Sequence, residues 1–225
     1  MQPVVDCRCL PLSDCKIFGE KLVYLFYGGV FYRRHAVPTN KASIMPVAVV
    51  FRPDALQCVD RYYPFDTGAA HWGKYGKEWT QKLEPFKPRF RVEANGGHQV
   101  VANMVRHCFG TNEDYLFNDP NPVAKELPDP FPVLHEFLST NFSDTGIDQR
   151  FRRIEAHSKV PVLLDHLLWI GYPKSEFEPI IDQLVAQCDP RPATFRYKAF
   201  PLAPPNELAA IMQHEAHEAI IKQFL

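Results

Sequence analysis

Residues 22–27 read Leu-Val-Tyr-Leu-Phe-Tyr and run directly into Gly28-Gly29. Aromatic and β-branched side chains suit a pleated, half-buried surface, and a glycine pair marks a turn. The stretch therefore reads as a strand entering a tight turn. An extended apolar run resumes at 30–33 (Val-Phe-Tyr-Arg), and 44–51 reads Ile-Met-Pro-Val-Ala-Val-Val-Phe before Arg52-Pro53 stops it. A continuous apolar run of strand length has both faces covered. The expected sheet core is Leu22, Tyr24, Phe26, Val47, Val49 and Phe51.

Outward from these strands, the period changes. Val100, Val101, Met104, Val105 and Cys108 recur every 3.6 residues across 99–108, with Gly110 as a C-cap signal, so a helix is expected there. Shorter helices are expected at 77–83 and 133–139. Ser175 is a good N-cap for a helix over 176–188. A last helix over roughly 206–224 follows Pro204-Pro205 and is expected to dock through Leu208, Ile211, Met212 and Ile220, with His214 and His217 facing water. Residues 57–64, 150–157 and 194–200 read as strands, and 162–171 as a helical turn followed by a strand ending at Tyr172-Pro173. Strands and helices follow one another in no strict βαβ rhythm. The expectation is a single α+β domain over residues 1–225, with a mixed or antiparallel central sheet flanked by helices.

Composition bounds the function only loosely. Hydrophobic residues make up 46% and charged residues 23% of the chain, which is ordinary for a folded domain and excludes a disordered, collagen-like or coiled-coil protein. The formal charge of −1 exerts no global pull toward nucleic acid or acidic lipid. No run approaches the roughly 18 apolar residues of a membrane span, and the N-terminal residues lack the basic-then-apolar pattern of a signal peptide. A soluble, cytoplasmic protein is expected, with no membrane partner. Proline accounts for 21 of the 225 residues and glycine for 11, against usual shares of about 5% and 7%. Such a chain is cut into short elements by stiff loops. Cys7, Cys9 and Cys15 lack the paired spacing of a zinc knuckle, and all six cysteines are expected to be reduced.

The phosphate loop, the dinucleotide-binding glycine fingerprint, the hydrolase nucleophile elbow, the kinase signatures and the H-E-x-x-H zinc motif are all absent from the sequence. His214 and His217 share a helix face, but they lack a third ligand nearby, so no metal is expected.

Three constellations carry chemistry. In 24–34, an aromatic strand, a glycine turn and Tyr32-Arg33-Arg34 place π-faces beside guanidinium groups. That suits a nucleotide, and equally suits a core strand with solvated arginines. In 64–69, Asp66-Thr67-Gly68 is similar to the catalytic turn of aspartic proteases. A single copy cannot pair two carboxylates within one chain, and turn chemistry alone accounts for the residues. In 148–157, Glu155 stands at a strand end among Arg150, Arg152, Arg153 and His157. This reads either as a site carboxylate or as a salt-bridge cluster. On an ideal strand Arg153 shares a face with Glu155 and is placed to orient it, while Arg152 points the other way, toward substrate or solvent.

Taken together, Phe26-Tyr27-Gly28, Tyr32-Arg33, Ile154-Glu155 and Val160-Pro161 make the chain resemble the ADP-ribosyltransferase-like fold, specifically DarT-type toxins and related phage-defence and toxin–antitoxin enzymes. The resemblance implies an α+β transferase that takes NAD as substrate. It passes ADP-ribose to a nucleic-acid or protein acceptor and has an antitoxin or immunity partner. It matches Glu155 to the catalytic glutamate, Tyr27 and Tyr32 to the aromatic wall of the nicotinamide, and Arg33 to a phosphate or ribose contact; Arg153 joins these as a cofactor-site residue. The family's N-terminal His-Gly-Thr strand has no counterpart before residue 20. The alternative is a non-catalytic nucleotide- or protein-binding module of the same or an unrelated α+β fold.

Overall fold

In the computed structural model, the structure describes residues 8–29, 47–95, 97–117, 119, 130–140, 152–174, 178–198 and 205–224. In chain order the strands are β1 (Cys9–Leu10), β2 (Ser13–Cys15), β3 (Glu20–Phe26), β4 (Ala48–Phe51), β5 (Arg61–Tyr63), β6 (Val92–Glu93), β7 (Glu155–Ser158), β8 (Val162–Leu163), β9 (Leu167–Pro173) and β10 (Ala193–Tyr197). The α-helices are α1 (Thr67–His71), α2 (Gly76–Leu83), α3 (Phe86–Arg89), α4 (His98–Phe109), α5 (Asn112–Phe117), α6 (Phe131–Ser139), α7 (Glu178–Ala186) and α8 (Pro205–Phe224). The fold is α+β with mixed and antiparallel sheets, as the sequence indicates. The strands are shared among three sheets, and the chain divides into two compact units.

The first unit comprises residues 12–28 and 56–160. Its five strands run β2-β3-β7-β5-β6, each antiparallel to its neighbours. Strand β7 is central, with Tyr24 and Phe26 opposite His157 and Glu155 on one side, and Arg61 and Tyr63 opposite the same two residues on the other. Because side chains alternate across a strand, all six share one face of the sheet. Helices α1 to α6 belong to the same unit. Phe137 of α6 packs edge-on against Tyr75, Trp79 and Phe65, at centroid distances of 4.9, 5.1 and 5.7 Å. Helix α4 buries Val101, Met104, Val105, Cys108 and Phe109 along one stripe, and Gly110 closes it with positive φ. That is the expected amphipathic helix.

The second unit comprises residues 1–11, 29–55 and 161–225. Strand β9 is flanked by antiparallel β4 and parallel β10. The parallel pair is joined through α7, the crossover that parallel strands require. Ile170, Tyr172 and Ile181 form one buried cluster, and Leu164, Leu167, Leu184 and Cys188 another. The expected core needs correction on β4. Ala48 and Val50 are buried, Val49 and Phe51 are partly buried against these clusters, and Val47 is 41% exposed. Val47 lies just ahead of the strand. On α8, Met212, Ala216 and Ile220 are buried at a spacing of four, whereas Ile211 points outward. His214 is exposed and His217 is half-buried. Among the described residues, no helix is long and apolar enough to cross a membrane.

The expectation of six reduced cysteines also needs correction. Cys15, Cys58, Cys108 and Cys188 are free, but Cys9 is disulfide-bonded to a partner outside the described residues. The sequence argument rested on compartment alone, whereas the state of a given pair also depends on whether the fold holds two sulfurs in bonding geometry where an oxidant can act.

Candidate functional site

One or two residues of each constellation meet at the centre of the five-stranded sheet: Tyr24 of the first, Thr67 of the second, and Glu155 and His157 of the third. Glu155 opens β7 and is only 1% exposed. Its Oε1 accepts a hydrogen bond from the Thr67 hydroxyl. The same oxygen lies 2.5 Å from His157 Nε2, two residues along the strand. The Asp-Thr-Gly turn thus reaches the glutamate through its threonine. Asp66 has a separate task as the N-cap of α1, with Oδ1 accepting from the Ala69 amide at 2.9 Å. This is helix capping, and it accounts for the aspartate without proteolytic chemistry.

His157 sits among aromatic rings. Phe18, Tyr24 and Tyr63 lie 4.9, 4.6 and 5.2 Å from it, centroid to centroid. Arg61, its cross-strand partner, donates from Nε to His157 Nδ1 at 3.1 Å. Burial pushes the imidazole pKa down to about 3, with the Arg61 charge adding to the effect. The ring is therefore neutral at physiological pH. Its Nδ1 already accepts a proton-bearing partner, so Nε2 carries the hydrogen and donates to Glu155. Arg61 continues the chain by pairing through Nη2 with Glu20, whose side chain is partly exposed at the sheet rim. A continuous polar ladder runs Glu20, Arg61, His157, Glu155, Thr67. Tyr24 borders it and shares a hydrogen bond with Cys15 Sγ, 2.6 Å from its hydroxyl. Burial raises the Tyr24 pKa, so the phenol stays protonated.

The other expected site residues are placed differently. Tyr32 and Arg33 lie outside the described residues. Tyr27 is adjacent to the site along the backbone, its amide donating to the Ile154 carbonyl at 2.9 Å. Alternation sends its side chain to the face opposite Glu155, where its ring lies 5.7 Å from that of Tyr115. The rings on the Glu155 face include those of Phe18, Tyr24, Phe26 and Tyr63. Arg153 was expected to orient the carboxylate. The contacts shown for it are instead with α5, donating to the Tyr115 and Leu116 carbonyls at 2.5 and 3.4 Å. Arg152 donates to the Leu138 and Thr140 carbonyls at the end of α6, at 2.8 and 3.2 Å. Both arginines precede β7, so the strand expected over 150–157 is shorter at its start. Helix C-termini expose unpaired carbonyls and partial negative charge, which draw guanidinium groups.

No family model, curated protein or solved structure matches this chain. The reading of the site rests on its own chemistry. Arg61 was missed from the sequence, and Thr67 was read there only as part of the Asp-Thr-Gly turn, since each is far from Glu155 along the chain. His157 was visible there, because its i+2 spacing from Glu155 on a strand puts both on one face. Among the described residues, no three His, Cys, Asp or Glu side chains converge as a metal site.

Proposed function

We propose that the chain is a cytoplasmic mono-ADP-ribosyltransferase that takes NAD as substrate, with Glu155 as its catalytic carboxylate. The observation that supports this reading is the setting of Glu155. It is fixed at the head of a central strand by two uncharged donors, Thr67 and neutral His157. Such donors orient a carboxyl group and bring no charge of their own. A preorganised negative charge stabilises the oxocarbenium ion that develops as nicotinamide departs. In the reaction, the bond from ribose C1′ to the nicotinamide nitrogen breaks, and its electron pair leaves with nicotinamide. A lone pair on the acceptor forms the new bond to C1′, and the acceptor's proton passes to water. The resemblance supplies the rest of the proposal: Tyr32 and Arg33 hold NAD, the acceptor is a nucleic acid or protein, and the chain is a toxin or phage-defence effector with an antitoxin or immunity partner. Tyr27 and Arg153 are assigned no contact with NAD, given where their side chains go.

A second reading is favoured by the burial of Glu155. Buried polar groups are normally satisfied by partners for stability alone, and a non-catalytic nucleotide- or protein-binding module would keep the same ladder. Glu155→Gln separates the two readings, because the amide oxygen can still accept from Thr67 and His157 while the charge is removed. NAD consumption and melting temperature are measured side by side. The enzyme reading expects turnover to fall by orders of magnitude with the fold intact. A variant that consumes NAD at the wild-type rate ends that reading.

A further inference from the structure

We propose that His157 is the positioning residue of the Glu155 carboxylate and that Arg61 selects the tautomer in which it works. The proposal rests on Glu155 as the catalytic group. Its geometry is local. Arg61 and His157 are direct cross-strand partners, and Glu155 is on the same face of β7 two residues away. The Arg61 Nε–H occupies His157 Nδ1, while Nη2 of the same guanidinium is tied to Glu20 and the guanidinium carbon lies 4.6 Å from the centre of the Phe18 ring. Arg61 is therefore anchored on both sides. The groups facing His157 are Glu155 on its own strand, Tyr24 from β3, Arg61 and Tyr63 from β5, and Phe18 ahead of β3; the charges of Glu20, Asp60 and Arg91 also bear on it.

A ring held this way cannot turn over without stripping Arg61 of its acceptor and Glu155 of its donor. Thr67 and His157 reach the same Oε1 from two directions, so losing the imidazole removes one of the two donors shown for that oxygen. A protonated ring would form an ion pair and neutralise the charge that the transition state needs. The ladder thus supplies direction through an uncharged ring.

Two substitutions divide the imidazole's two contacts. His157→Gln sets an amide N–H near the position of Nε2 and keeps the donor to Glu155. His157→Asn sets an amide oxygen near Nδ1, keeps the acceptor for Arg61 and withdraws the donor. Three readouts are taken on the full chain: histidine side-chain nitrogen NMR, the carboxyl carbon titration of Glu155, and steady-state NAD consumption. The wild type is expected to show the Nε2–H tautomer at pH 7. Losing a donor to the charged form raises a carboxyl pKa, so Asn should shift the Glu155 titration up by about one unit and Gln should leave it in place. In kinetics, Asn should lower kcat about 100-fold with KM within about threefold, and Gln should stay within about tenfold of wild type. An Nδ1–H or protonated ring at pH 7 overturns the proposal, as does an equal Glu155 shift in both variants. Equal losses of kcat that simply follow melting temperature overturn it too. If the wild-type protein consumes no NAD, the catalytic reading of Glu155 fails by itself, and the tautomer and carboxyl titration still decide whether His157 positions the carboxylate.

Discussion

Arg153 donates from Nη1 to the carbonyl oxygen of Tyr115 at 2.5 Å and lays its guanidinium over the ring of the same residue, 5.2 Å from the centroid. A second nitrogen reaches the Leu116 carbonyl. One buried side chain thus closes the last turn of α5 and ties that helix to the segment leading into β7. Arg153→Ala is expected to cost about 2–3 kcal/mol, because charge-assisted hydrogen bonds to buried carbonyls are lost together. Arg153→Lys should recover less than half, since an ammonium cannot fork to two carbonyls. Urea unfolding midpoints check both variants. A residue that served only to hold NAD would leave them unchanged.

The buried neutral His157 makes stability depend on pH. Its folded pKa is about 3, against about 6.5 in an unfolded chain. The unfolded state therefore binds a proton that the folded state refuses. This contribution is fully present above about pH 6.5 and is lost as pH falls toward 3, with a slope of at most about 1.4 kcal/mol per pH unit. His157→Gln removes the titrating group. Denaturation midpoints of the two proteins, taken from pH 7 down to pH 4, should converge as the wild type loses its advantage. Parallel lines would show that His157 is not the group responsible.

Gly28 combines positive φ of 63° with a crowded site, where an added Cβ would lie 2.8 Å from the Tyr115 ring. Tyr115 is held there by its hydroxyl, which donates to the Tyr27 carbonyl at 2.6 Å and accepts from the Ile154 amide at 3.1 Å. It cannot retreat without breaking both bonds. Gly28→Ala should cost about 2–4 kcal/mol, from the left-handed backbone plus overpacking. Gly19 has a similar φ of 70° and open space around it. Gly19→Ala should therefore cost only about 1–2 kcal/mol. Comparing the two by thermal unfolding isolates the steric part.

On β4, Val50 is buried and Val47, just ahead of the strand, is not. Val50→Ala should lower stability by about 1–2 kcal/mol, through lost burial and the space left behind. Val47→Ala should stay within about 0.5 kcal/mol of wild type. Chemical denaturation of both variants checks the register of the strand, and a reversed order would place the wrong face in the core.

Much of the secondary structure is local, and local rules predict it. Residues 22–27 became β3, shifted by two residues at its start, and the 3.6-residue stripe of 99–108 became α4. The helices α2, α6, α7 and α8 and the strands β5, β9 and β10 overlap expected segments, with α2, α8 and β10 starting one residue early and α6 two, because each element shows one apolar face to a neighbour. The missed pieces are short: β1, β2, β6, α1, α3 and α5 run two to six residues each. Elements of that length have too few side chains to display a period, and tertiary contacts hold them. Asp66-Thr67-Gly68 reads as a turn for this reason, yet it starts a helix.

Glu155 and His157 could be placed on one face by counting along a strand, since alternation is a property of the backbone itself. Which residues would stand opposite them could not, because strand order and register depend on how distant segments pack. The order β3-β7-β5 brings Tyr24 and Arg61 to His157, and α1 carries Thr67 to Glu155 across 88 positions of sequence. The same step of one residue that puts Phe26 beside Glu155 turns Tyr27 to the far face, and the unpaired carbonyls of two helix ends take up Arg152 and Arg153. The sequence by itself determined the longer elements and the carboxylate–imidazole spacing, because both are set within a few residues. Only the tertiary structure decided the partners of that carboxylate, because hydrogen bonds between strands and helices exist only once the sheet has closed.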